Sequence, residues 1–156
     1  MMRKWRWTIS LLLAVGILLS GCSEQAETIK LDDPAYMFGD QPGKTVNMLI
    51  EGTYNAKENA FKGTMQIGDR TLQTILFTPG AGLIYYEGTK RTYIGQIFYD
   101  EATSDYAIEI TDAAFYEWLT GVKREGRPKL IISSPAINGE DARAVYERVK
   151  RLGYFK

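Results

Sequence analysis

Few residues in this chain could do chemistry, and their spacing narrows the choice. There is no histidine, which removes Ser-His-Asp and Cys-His catalysis and imidazole ligation of metals. The one cysteine, Cys22, can form no disulfide within the chain. Neither a GxSxG elbow nor an SxxK pair is present. Three acids, Asp100, Glu101 and Asp105, gather around one loop. Such a group could give oxygen ligands to Ca²⁺ or a carboxylate pair for glycoside hydrolysis. The spacing is not that of an EF-hand, and Ala102, Thr103 and Ser104 suit an ordinary polar turn. These acids are therefore weak metal candidates. No catalytic residue is assigned, and no cofactor is expected.

Tyrosines are the stronger lead. Tyr85, Tyr86, Tyr93, Tyr99 and Tyr106 fall on successive runs of strand-forming residues. Strand side chains alternate between faces, so Tyr93 and Tyr99 are expected to share one face with Gly95 and Ile97, while Tyr85 opposes Tyr86. An exposed aromatic sheet face offers apolar area plus hydroxyls at low entropy cost. Tyr85, Tyr93, Tyr99 and Tyr106 are accordingly the candidate binding residues, with cross-strand packing as the competing explanation. A basic loop, Lys123, Arg124, Arg127 and Lys129, reads as solvated. The string Gly39-Asp40-Gln41-Pro42-Gly43-Lys44-Thr45 is one residue short of a phosphate-binding loop. It is also expected to follow a tether and lead into a strand, where that motif needs a strand before it and a helix after it.

These residues need elements to hold them. From Lys44 onward, Val46, Met48 and Ile50 alternate with polar neighbours, as do Phe61, Met65 and Ile67; the runs 71–78, 83–87, 91–99 and 106–111 continue the pattern. Period-two patterning rich in Thr, Ile, Tyr and Phe predicts strands. Compact turns at Gly68-Asp69-Arg70, Pro79-Gly80-Ala81-Gly82 and Gly88-Thr89-Lys90 make neighbouring strands antiparallel. A helix capped at Thr111 or Asp112 should run to Leu119 and close at Gly121. A second is capped by Asn138, carries Glu140 and Asp141 at its start and Lys150 and Arg151 at its end, and stops at Gly153. Its apolar stripe is Ala142, Val145, Tyr146, Val149 and Leu152. Residues 129–133 read as a further, buried strand. The expected fold is α+β: an antiparallel meander of about six strands, with two C-terminal helices and one more strand packed on one face.

Residues 1–21 carry Arg3, Lys4 and Arg6, then the apolar run Ile9–Leu19, then the small Ser20 and Gly21. That is the order of a secretory signal. The uncharged stretch from Trp7 to Cys22 is 16 residues, short of the roughly 20 that span a bilayer. Leu19-Ser20-Gly21-Cys22 resembles the lipobox of bacterial lipoproteins. The resemblance implies cleavage between Gly21 and Cys22, and a diacylglyceryl group on the Cys22 sulfur bearing acyl chains such as palmitate. Two or three such chains hold a protein essentially permanently, where one does not. Ser23, a non-acidic residue after the cysteine, fits outer-membrane sorting where there are two membranes.

The expected organisation is a signal peptide over 1–21, a lipidated cysteine and flexible tether over 22–43, and one globular domain over 44–156. That domain resembles the globular parts of small uncharacterised bacterial lipoproteins. Without Arg3, Lys4 and Arg6, 16 of the 19 basic residues remain against 19 acids, a net charge near −3. An acidic domain gains nothing from phosphates, so nucleic acid is not an expected partner. The expectation is a lipid-anchored protein on the extracytoplasmic side of the cell membrane, a non-enzymatic binding or accessory module for a protein, peptide or envelope polymer. The alternatives are a carboxylate-dependent hydrolase of envelope glycan and a structural component of an envelope complex.

Overall fold

In the computed structural model, residues 26–78 and 82–152 are described. The signal segment, Cys22 and Ser23, the Pro79–Ala81 part of one expected turn and the Gly153 stop lie outside them. Eight antiparallel strands run in chain order around a closed barrel: β1 (Ala26–Gly39), β2 (Lys44–Asn55), β3 (Ala60–Ile67), β4 (Arg70–Thr78), β5 (Gly82–Glu87), β6 (Lys90–Asp100), β7 (Asp105–Ile110) and β8 (Leu130–Ser134). Helix α1 (Ala113–Thr120) lies between β7 and β8, and α2 (Gly139–Leu152) follows β8.

The open six-stranded meander is thus corrected to a closed barrel. The residue run responsible is 26–39, read from composition as tether. Its Ile29, Leu31, Ala35 and Met37 alternate with polar or outward residues and turn inward. Leu31 pairs with Ile50 on β2, and Met37 with Ile132 on β8, so β1 closes the cylinder. Closure removes the exposed edges that an open meander would present. Asp32, Asp33 and Pro34 interrupt the alternation, at the level where β8 gives out. There the Pro34 carbonyl accepts the Ala136 N–H at 3.0 Å and the Ser134 hydroxyl at 3.2 Å.

Eight strands enclose an interior just wide enough for side chains to fill. The lumen is packed: Met48, Ile50, Phe61, Met65, Ile75, Leu83, Ile94, Ile108 and Ile132 are all essentially inaccessible and form one cluster. The Phe61 and Phe77 rings stack at 4.5 Å. Gly52 and Gly63 face each other across β2 and β3 beside the Phe61 ring, and a Cβ on either would strike that ring and the opposite backbone.

Contrary to the expectation from sequence, the two helices do not pack on one sheet face. Helix α1 closes one end of the barrel, with Phe115 and Tyr116 in the lumen cluster. Its Asp112 cap accepts the Phe115 N–H at 2.7 Å, and Gly121 ends it in the left-handed conformation. Gln41, in the β1–β2 turn at that end, donates to the Tyr116 hydroxyl. Helix α2 lies outside, its Val145, Tyr146 and Val149 against Phe98, Ala107 and Ile131. Asn138 caps it, accepting from the Glu140 and Asp141 N–H groups. Leu152, expected in the stripe, is half-exposed. Because α2 covers the outer face of β7, that strand is buried on both sides and loses its alternation.

Candidate functional site

The barrel end opposite α1 is built from the start of β1, the β2–β3 turn and the β6–β7 turn. Glu27 and Tyr54 face each other across β1 and β2, and Ile29 lies next inward, opposite Gly52. Tyr99, near the end of β6, and Glu101, at the start of the following turn, complete the rim. These five residues line a depression of about 270 Å³. β8 stops at Ser134 while β1 and β2 run on, so the β8 side of the wall is lower here. Ile29, Tyr54 and Tyr99 pack on the lumen core from their inner sides. The Tyr54 hydroxyl donates to Asn59 Oδ1 at 2.7 Å. Burial, helped by the nearby Glu101 carboxylate, pushes its phenol above the ordinary range. Among the described residues the lining offers two carboxylates and two aromatic rings, and no Lys or Arg.

The four tyrosines singled out in the sequence are not brought together on one face. Tyr85 turns inward opposite Ile75 and is half-buried. Tyr99 and Tyr106 are inward partners across β6 and β7. Tyr93 faces outward and is 43% exposed. The cause is a β-bulge. Leu83 pairs with Gly95 and Ile84 with Tyr93, so Ile94 is an extra residue on β6, and it sits in the lumen. One inserted residue reverses the faces of everything before it, which separates Tyr93 from Tyr99. A second irregularity sets Gly63 against Ile75 but Met65 against Leu72.

The three acids also part company. The Asp100 carboxylate folds back on its own turn, accepting the Ala102 N–H and the Thr103 hydroxyl, each at 3.0 Å. Asp105 is buried on the outer face and forms an ion pair with Arg148 of α2. Glu101 alone faces the depression. Among the described residues no group of His, Cys, Asp or Glu is arranged to hold a metal ion.

Two other features have clear structural roles. Asp40, in the string that mimics a phosphate loop, accepts the Lys129 N–H on its carboxylate at 2.9 Å and the Arg124 guanidinium on its carbonyl at 2.5 Å. Half of the basic loop is thereby tied to the β1–β2 turn. On the outer wall, Glu109 accepts from the Tyr146 hydroxyl and from Lys150 Nζ at 2.9 Å, and Lys150 lies 4.8 Å over the Tyr146 ring. Burial works to raise the Glu109 carboxyl, but these donors and the Lys150 and Lys129 charges prevail and lower it. This network fastens α2 to β7.

A second concavity, about 510 Å³, lies on the outer wall, lined by Lys62, Thr74, Leu76, Tyr86 and Gly88. A third, about 400 Å³, adjoins the rim at Ala26, Glu27, Tyr54 and Ala56, and sequence reasoning missed all three. Alternation could have put Lys62, Leu76 and Tyr86 outside, but the rim needs closure between strands far apart in the chain. Among the described residues no helix is long and apolar enough to cross a membrane. No protein-family model, curated protein or solved structure matches the chain.

Proposed function

We propose that the protein is a lipid-anchored, extracytoplasmic binding module, held by acylated Cys22 with the open end of its barrel toward the membrane. One observation carries this reading: β1 begins at Ala26, four residues after the cysteine of the lipobox-like Leu19-Ser20-Gly21-Cys22. Four residues reach at most about 14 Å, so the rim of Glu27, Tyr54, Tyr99 and Glu101 lies near the headgroups. The expected long tether would have let the domain stand well off the surface; a three-residue spacer keeps the start of β1 close to the anchor.

The packed lumen favours binding at the rim or outer wall over uptake into the barrel. The turn hydrogen bonds of Asp100 and the ion pair of Asp105 give two of the three acids structural roles, which supports a binding module over a glycan hydrolase. Metabolic labelling of cells with an alkyne fatty acid tests the anchor. Wild type should be labelled and Cys22→Ala should not. Equal labelling of both would refute the anchor at Cys22.

A further inference from the structure

The geometry points to the barrel mouth as a site for an organic ammonium group, held by Glu27 and Glu101 between the rings of Tyr54 and Tyr99. The inference deepens the binding-module reading and does not depend on Cys22 being acylated. Its basis is the chemistry of the hollow. Glu27 stands across the β1–β2 ladder from Tyr54, and Glu101 is close enough to Tyr54 to help raise its phenol. Two carboxylates thus border one concavity, with no basic residue among the described residues that line it. A neutral sugar would leave both without counter-charge. A bare divalent cation would want six or more oxygens, and here tyrosine rings and Ile29 form much of the wall. An alkylammonium meets both halves: its charge faces the carboxylates and the ring faces, its carbons the apolar surface. About 270 Å³ accepts a head of a few heavy atoms.

The ammonium could come from an aminated lipid headgroup beside the rim or from a soluble amine. The test uses the full chain in uncharged maltoside micelles, with ¹³C-labelled tyrosine rings observed by NMR and propylammonium as probe. Propylammonium should shift the Tyr54 and Tyr99 resonances, and propanol should not. Glu101→Gln should weaken binding about threefold to fivefold, and Glu27→Gln/Glu101→Gln about tenfold, at unchanged melting temperature. These factors follow from the modest worth of charge pairs made by exposed carboxylates such as Glu27 and Glu101. Tyr99→Leu should weaken it while keeping the apolar volume. Equal shifts with propanol, or charge variants that bind as tightly as wild type, would overturn the assignment.

Nanodiscs separate the sources. If the headgroup is the natural occupant, phosphatidylethanolamine should lower the apparent affinity for propylammonium relative to phosphatidylglycerol alone. Equal affinity in both lipids assigns the site to a soluble amine, and absence of binding in discs and micelles alike removes it. Loss of amine binding with Cys22 labelling intact would sink this site and leave the anchor standing.

Discussion

Tyr99 and Tyr106 stand opposite each other across β6 and β7, both turned inward, yet Tyr99 borders solvent at the barrel mouth while Tyr106 is fully buried. The step from one to the other marks where the wet rim gives way to the packed lumen. Among the described residues the Tyr106 hydroxyl has no hydrogen-bond partner of good geometry, although the Ser134 hydroxyl lies beside it. The adjacent Ser134 hydroxyl donates instead to the Pro34 carbonyl.

An unpartnered buried hydroxyl costs stability, so Tyr106→Phe should be neutral or stabilising by about 1 kcal/mol in urea unfolding. The same phenol governs the alkaline limb. Burial, with Asp33 and Asp32 nearby, outweighs the opposing contact with the Ser134 hydroxyl and raises its pKa far above the ordinary 10.0. A raised value means its contribution is complete below about pH 10 and is lost as pH climbs toward the folded value, by about 1.4 kcal/mol per unit. Tyr106→Phe should flatten that decline. An unchanged alkaline slope in the variant would place its origin elsewhere.

On the acid side the governing group is Glu109. Its pKa is lowered from 4.5, so its contribution is present above that value and fades as pH falls through the lower folded one. Lys150 is 46% exposed, which screens the pair. Glu109→Gln should therefore cost only about 1 kcal/mol at pH 7, and the difference from wild type should vanish in strong acid. Hydrogen exchange should show α2 amides opening faster in the variant than those of β2 or β3.

Leu31 separates the barrel from the tether reading. Buried against Ile50 on the neighbouring strand, it should cost about 2–4 kcal/mol on replacement by Ala. A residue in a flexible spacer would cost nothing. Thermal unfolding of Leu31→Ala decides between them.

Much of the fold was legible in the residues. The Asp112 and Asn138 caps, the Gly121 stop and the runs that became β2 to β8 all carry local signals, because turns and caps are chosen by nearest neighbours. Strand β1 was not legible. Its Asp32-Asp33-Pro34 break masks the alternation of Ile29, Leu31, Ala35 and Met37, and its pairing with β8 joins segments about a hundred residues apart. The rim failed with it, since Glu27 and Glu101 meet only once the barrel closes. Tyr93 and Tyr99 were set on one face because a bulge at Ile94 leaves no trace in a count by twos. Gly95 was the available hint: a Cβ there would collide with the Glu109 carbonyl.

The proposal that the barrel rests mouth-down on a membrane is tested most directly by depth-dependent quenching. A dye at Glu58→Cys, in the β2–β3 turn, marks the mouth end. One at Glu125→Cys marks the α1 end, roughly 20 Å away along the tilted strands. In vesicles carrying headgroup spin labels, the account predicts strong quenching of the first dye and little of the second. Equal quenching, or stronger quenching at Glu125→Cys, would contradict it.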